Sequence, residues 1–115
     1  MLSSVVEKNI VLTTGKVKDS SYISREFGVS GSSTKVYLDI KEPNGSEVEV
    51  WMQKADGTFM ELVRDPLLSR HLGDGLVENC FVKEQLNIHS TRIKIVLKNN
   101  NSNRAMAKNL RAIIN

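Results

Sequence analysis

Residues 34 to 63 read TKVYLDIKEPNGSEVEVWMQKADGTFMELV, and the period of this stretch sets the fold class. Val36, Leu38 and Ile40 alternate with Lys35, Tyr37, Asp39 and Lys41, the two-residue repeat of a strand with one face in a core and the other in water. Pro43-Asn44-Gly45 breaks the run. Proline fixes φ without supplying a ladder donor, and Asn and Gly enter the left-handed region at little cost, so a hairpin turn is predicted here. Val48, Val50 and Met52 then alternate with Glu47, Glu49, Trp51 and Gln53, and Asp56-Gly57 gives the next reversal before a third strand over residues 58 to 63. Three antiparallel strands with one apolar face need a further layer to cover it.

Working outward from this centre, the N-terminal side offers a strand over residues 9 to 14, a short extended piece at Tyr22-Ile23, and Phe27 and Val29 on one face of another. Small residues at 30 to 33 connect it to the central run. On the C-terminal side, residues 64 to 75 are the least regular part. Pro66 at a first helical position and Gly73 just past an end predict a short helical turn over residues 66 to 71. Residues 76 to 83 read as a strand with apolar groups on both faces, and residues 91 to 98 as the cleanest strand in the chain. An Asn-rich turn follows at 99 to 103. The last segment, 104 to 114, contains good helix formers, but a five-residue loop directly after a strand favours a hairpin, and strand is expected there. Seven or eight strands with frequent turns predict an all-β antiparallel β-sandwich or jelly roll.

The 115 residues suit one domain, 1–115, with residues 1 to 8 as an N-terminal arm, and a composition of 40% apolar and 25% charged residues is that of a globular chain. A single cysteine, Cys80, excludes an internal disulfide framework, and no apolar run approaches the roughly 20 residues that span a bilayer. The opening residues show no signal peptide, so synthesis in the cytoplasm of the producing cell is expected. The net charge of +3 is unevenly placed: residues 1 to 84 hold all thirteen acidic groups against ten basic ones, and residues 85 to 115 hold six bases and no acid. Arg92, Lys94 and Lys98 alternate with Ile93, Ile95 and Leu97, which predicts a basic outer face. A solvated surface or an acidic protein partner explains it better than nucleic acid, because neither interleaved aromatics nor a known reading motif is present.

The residues that carry chemistry elsewhere are scattered in this chain. His71 and His89 lack acidic or cysteine partners at metal-ligand spacing, and the Asn-rich turn lacks the carboxylates that hard cations need. Cys80 reads as a buried packing residue, the serines lack an adjacent base, and Glu47 and Glu49 share a solvent face. The glycines mark turns, and no phosphate loop is present. No catalytic, metal or cofactor site is expected. Trp51 and Tyr37, placed outward on what the turn makes neighbouring strands, are instead the expected contact residues, as interface anchors or a carbohydrate platform, unless they cover the sheet beneath a loop of the same chain.

The run Phe27-Gly28-Val29-Ser30-Gly31, then Val36-Tyr37-Leu38-Asp39-Ile40, then residues 48 to 53 with Asp56-Gly57 and Phe59, resembles the layout of small β-sandwich virion proteins of tailed bacteriophages. The close, Thr91-Arg92-Ile93-Lys94-Ile95 with an Asn-rich turn and a final strand, is similar too. The segment from Asp65 to Leu76 departs from that layout. The resemblance implies a non-enzymatic capsid decoration or auxiliary head protein in the virion, with a tail or neck component as the alternative. Its partners would be the major capsid protein, other virion proteins or copies of itself, and neither nucleic acid nor membrane. Tyr37 and Trp51 would anchor the contact, and Arg92, Lys94 and Lys98 would meet acidic ground.

Overall fold

The computed structural model describes residues 4–13, 19–28, 33–43, 45–84, 88–98 and 104–114, with side chains outside 4–13 and 114. The strands are β1 (Ser4–Thr13), β2 (Ser20–Ile23), β3 (Phe27–Gly28), β4 (Ser33–Lys41), β5 (Glu47–Gln53), β6 (Phe59–Glu61), β7 (Val63–Gly73), β8 (Leu76–Glu84), β9 (Ser90–Thr91), β10 (Ile93–Lys98) and β11 (Met106–Ile114). They form a five-stranded sheet A in the order β1-β11-β4-β8-β7, a four-stranded sheet B in the order β2-β10-β5-β6, and a small pair, β3-β9. All pairings are antiparallel and the sheets pack together as a β-sandwich, the class expected from the alternation. The Asn-rich turn predicted at 99 to 103 and all but Ser33 of the small-residue loop predicted at 30 to 33 lie outside the described residues, and Ser33 opens β4.

The apolar residues of β4 and β5 face the core as the alternation predicts, but Asp39, expected on the water side, is only 5% exposed, and the strand partners differ from expectation. β4 lies in sheet A and β5 in sheet B. The hairpin expected between β4 and β5 is therefore not formed, since the two strands belong to different sheets. Gly45 takes φ 78, and Pro43 O accepts both the Ser46 N–H at 2.9 Å and the Ser46 hydroxyl at 2.6 Å. Splitting the two strands lets their apolar faces cover one another. Val36, Leu38 and Ile40 of β4 and Val48, Val50 and Met52 of β5 are all 0 to 4% exposed and belong to one core with Ile93, Ile95 and Leu97 of β10. Each such side chain contributes about 1.5–3 kcal/mol when removed from water.

The hairpin expected at Asp56-Gly57 does form, joining β5 to β6. The Asp56 carboxylate accepts the Thr58 N–H at 3.0 Å and the Thr58 hydroxyl at 2.6 Å, Gly57 takes φ 90, and these bonds hold the Asp56 carboxyl below its usual range. Buried Leu62 then leads the chain back to sheet A.

The helical turn predicted over 66 to 71 is absent: these residues belong to β7, an edge strand of sheet A. Asp65 pairs with Cys80 and Arg70 with Glu78, so three extra residues of β7 bulge out between them. Asp65 Oδ1 accepts the Leu67 N–H at 3.0 Å and the Ser69 hydroxyl donates to Pro66 O at 2.9 Å. A helix start would use the same residue types. At an edge, Pro66 loses nothing by lacking a donor, and the bulge takes the place of the helical turn. Gly73, Asp74 and Gly75, all at positive φ, reverse the chain into β8.

The final segment is strand, as expected, but β11 is not the hairpin partner of β10. It lies between β1 and β4 in the opposite sheet. Residues 4 to 8, read from sequence as part of an N-terminal arm, pair with β11 in β1.

Candidate functional site: the outer face of sheet B

The residues expected to make contact are divided between the two sheets. Tyr37 lies on the outer face of sheet A, beside Cys80 of β8. Its ring lies 5.9 Å from the Arg111 guanidinium. Arg111 also bonds Glu78 and reaches Asp39 Oδ1 at 3.3 Å, while Asn109 Nδ2 donates to Asp39 Oδ2 at 2.8 Å. Arg70 of β7 completes this cross-strand network, 3.6 Å from Glu78. Tyr37 therefore packs against its own chain. Burial, with Cys80 and Glu78 adding to it, pushes its hydroxyl above the usual 10.0.

Trp51 lies on the outer face of sheet B, paired with Lys94 of β10 on one side and Glu61 of β6 on the other. The alternation that buries Val50 and Met52 turns it outward. Its indole N–H donates to Glu49 Oε1 at 3.1 Å, and Glu49 Oε2 receives the Lys98 ammonium at 3.0 Å. That bond, Glu49's charge and the nearby Glu47 raise the Lys98 pKa above its ordinary value. Lys94 directs its ammonium at the Phe59 ring, 5.5 Å from the centroid. The result is one patch of Trp51, Phe59 and Lys94, rimmed by Glu49, Glu61 and Lys98. Phe59 takes the place that Tyr37 was expected to fill.

The sequence carried a usable signal for Phe59. The hairpin at Asp56-Gly57 sets Gln53 opposite Phe59 and Trp51 opposite Glu61, which puts Phe59 on the same face as Trp51. The expected basic face is corrected in two respects. Arg92 turns back to donate to Ser24 O at 3.2 Å, where it braces the junction of β2 and β10. β10 also runs beside acidic β5, with Lys98 opposite Glu47, so the surface there is of mixed charge.

An open cavity of about 540 Å³ is lined by Glu42, Val48, Leu62, Arg64 and Phe81 among others. Arg64 donates to Glu42 through both terminal nitrogens, at 2.7 and 3.1 Å, and to Val48 O at 3.0 Å, with its guanidinium 5.0 Å from the Phe81 ring. Glu42 Oε2 also accepts the Val48 N–H at 2.8 Å. Through Val48 of β5 these bonds tie the two sheets together. His71 is exposed on β7, His89 is exposed before β9, and Cys80 is buried on β8. No group of three or more potential metal ligands occurs among the described residues. No protein family, curated protein or solved structure matches the chain.

Proposed function

We propose that this chain is a non-enzymatic virion structural protein of a tailed bacteriophage, a capsid decoration or auxiliary head protein that docks the outer face of sheet B on the major capsid protein. The observation that carries the docking is the Trp51, Phe59 and Lys94 patch. Two aromatic rings, one of them Trp, on the outer face of a sheet with a charged rim have the make-up of an interface centre, where Trp, Tyr and Arg contribute most of the binding energy. The phage assignment rests on the resemblance carried by residues 27 to 31, 36 to 40, 48 to 53 with Asp56-Gly57 and Phe59, and 91 to 95 with the Asn-rich turn and final strand after them. Self-assembly of copies belongs to the same reading.

Mixing the purified protein with undecorated capsids and with isolated tails, then sedimenting at low and high salt, tests the proposal. Co-sedimentation with capsids is expected, reduced at least ~10-fold in affinity by Trp51→Ala. Binding to tails alone would move the protein to the tail or neck. A carbohydrate platform is the second reading, favoured by the indole held by Glu49 with Gln53 and Glu61 beside it. Retention on a glycan array that Trp51→Ala abolishes, without capsid binding, would establish that reading instead.

A further inference from the structure

One of the two edges of sheet A is β7, which among the described residues has β8 alone as ladder partner. Such an edge presents unpaired backbone groups and is ordinarily blunted with charge, proline or a bulge. β7 has all three, yet it also holds four of the five exposed large apolar residues among those described. Val63 is 71% exposed and Leu67 91%, and Leu68 and Leu72 are exposed as well. Exposed leucines concentrated on one edge mark a contact surface.

The sequence of β7 identifies the partner. About the midpoint between Leu67 and Leu68, the strand is complementary to itself when reversed: Leu67 falls opposite Leu68, Asp65 opposite Arg70, and Val63 opposite Leu72. Both charges are available. Asp65 uses Oδ1 for the Leu67 N–H, and its Oδ2 has no partner among the described residues. The Arg70 side chain is 70% exposed and holds Glu78 through Nε alone, at 3.6 Å, leaving its terminal nitrogens to a neighbour. A two-fold axis through this midpoint makes two Asp65–Arg70 pairs and two Val63–Leu72 contacts around a leucine centre, as an isologous interface requires.

We propose that two copies of this chain associate through β7 about a two-fold axis passing between Leu67 and Leu68. The contact is made by side chains, because Pro66 has no N–H to give and the bulge interrupts the ladder at the axis. The inference rests on the self-assembly part of the function proposed above and does not depend on capsid docking.

Sedimentation equilibrium on the full chain from about 1 to about 200 µM tests it, and a concentration-dependent dimer is expected. Leu67→Asp with Leu68→Asp should weaken it at least ~10-fold. Asp65→Arg alone sets two arginines face to face at each pair, and Arg70→Asp alone sets two aspartates, so each variant should be monomeric. Mixed in equal amounts, the two single variants should form a heterodimer in which both pairs are complementary again. That rescue would also show that both variants are folded, independently of circular dichroism. A wild-type chain monomeric throughout, a dimer indifferent to the leucine change, or a mixture no tighter than its components would each overturn the proposal. Loss of capsid binding with the dimer intact would instead overturn the docking reading alone.

Discussion

Asn109 sits at φ 57 within β11, where Lys108 pairs with Asp39 but Arg111 pairs with Tyr37, so β11 carries one more residue than β4 across that interval. The bulge changes which parity faces the core: Ala105 and Ala107 are buried before it, Leu110 and Ala112 after it. This is why the segment reads as helix or strand with similar ease. A single odd step inserted into a two-residue alternation gives apolar spacings of two and three, the latter shared with a helix. Asparagine enters the left-handed region cheaply and here also donates to Asp39. Asn109→Val should cost about 2 kcal/mol in urea unfolding, and Asn109→Gly about half that, because glycine keeps the backbone and loses only the amide bond.

Cys80 is the second residue whose surroundings set its behaviour. It is fully buried, and burial pushes the thiol above its ordinary 9.0. A water-soluble thiol reagent at neutral pH should therefore react only as fast as the protein unfolds. For an acid whose folded pKa is raised, the stabilisation is complete below the unfolded value and fades as pH rises through the folded one. Cys80 and Tyr37 share that sign. Melting temperature should hold from neutrality to about pH 9 and fall beyond it, less steeply in Cys80→Ala. Equal slopes in the two proteins would contradict this account of the thiol.

Among the elements, the strands were legible wherever apolar and polar residues alternate strictly. β4, β5 and β10 needed nothing beyond period and turn residues. β7 was not, because Asp, Pro and Ser at 65, 66 and 69 make the same local bonds in an edge bulge as at a helix start, and only the presence of β8 alongside decides between them. The brace between the sheets was equally hidden, since Glu42 and Arg64 are 22 residues apart. Arg64→Ala should cost about 1–2 kcal/mol by urea unfolding. In Glu42→Ala the same change should cost clearly less, because the charge-assisted pair is already gone; full additivity would show that the brace contributes nothing.

For the whole molecule, alternation shows which side of a strand is apolar but not which strand lies next to it. From sequence alone β4 with β5 and β10 with β11 both read as hairpin pairs, and in each pair the two strands lie in different sheets. The same ambiguity divided the expected contact pair. Tyr37 went to sheet A with β4, and Trp51 stayed on sheet B, where the one hairpin read correctly brought Phe59 beside it. The polarised charge of the sequence is likewise moderated in space, because β10 lies against the acidic residues of β5.

The most direct test of the account is hydrogen–deuterium exchange on the protein free and bound to undecorated capsids. Docking through the outer face of sheet B predicts slowed exchange in peptides covering β5, β6 and β10, with β4 and β11 unchanged. Protection confined to sheet A, or none in any peptide under conditions where the protein co-sediments, would contradict it.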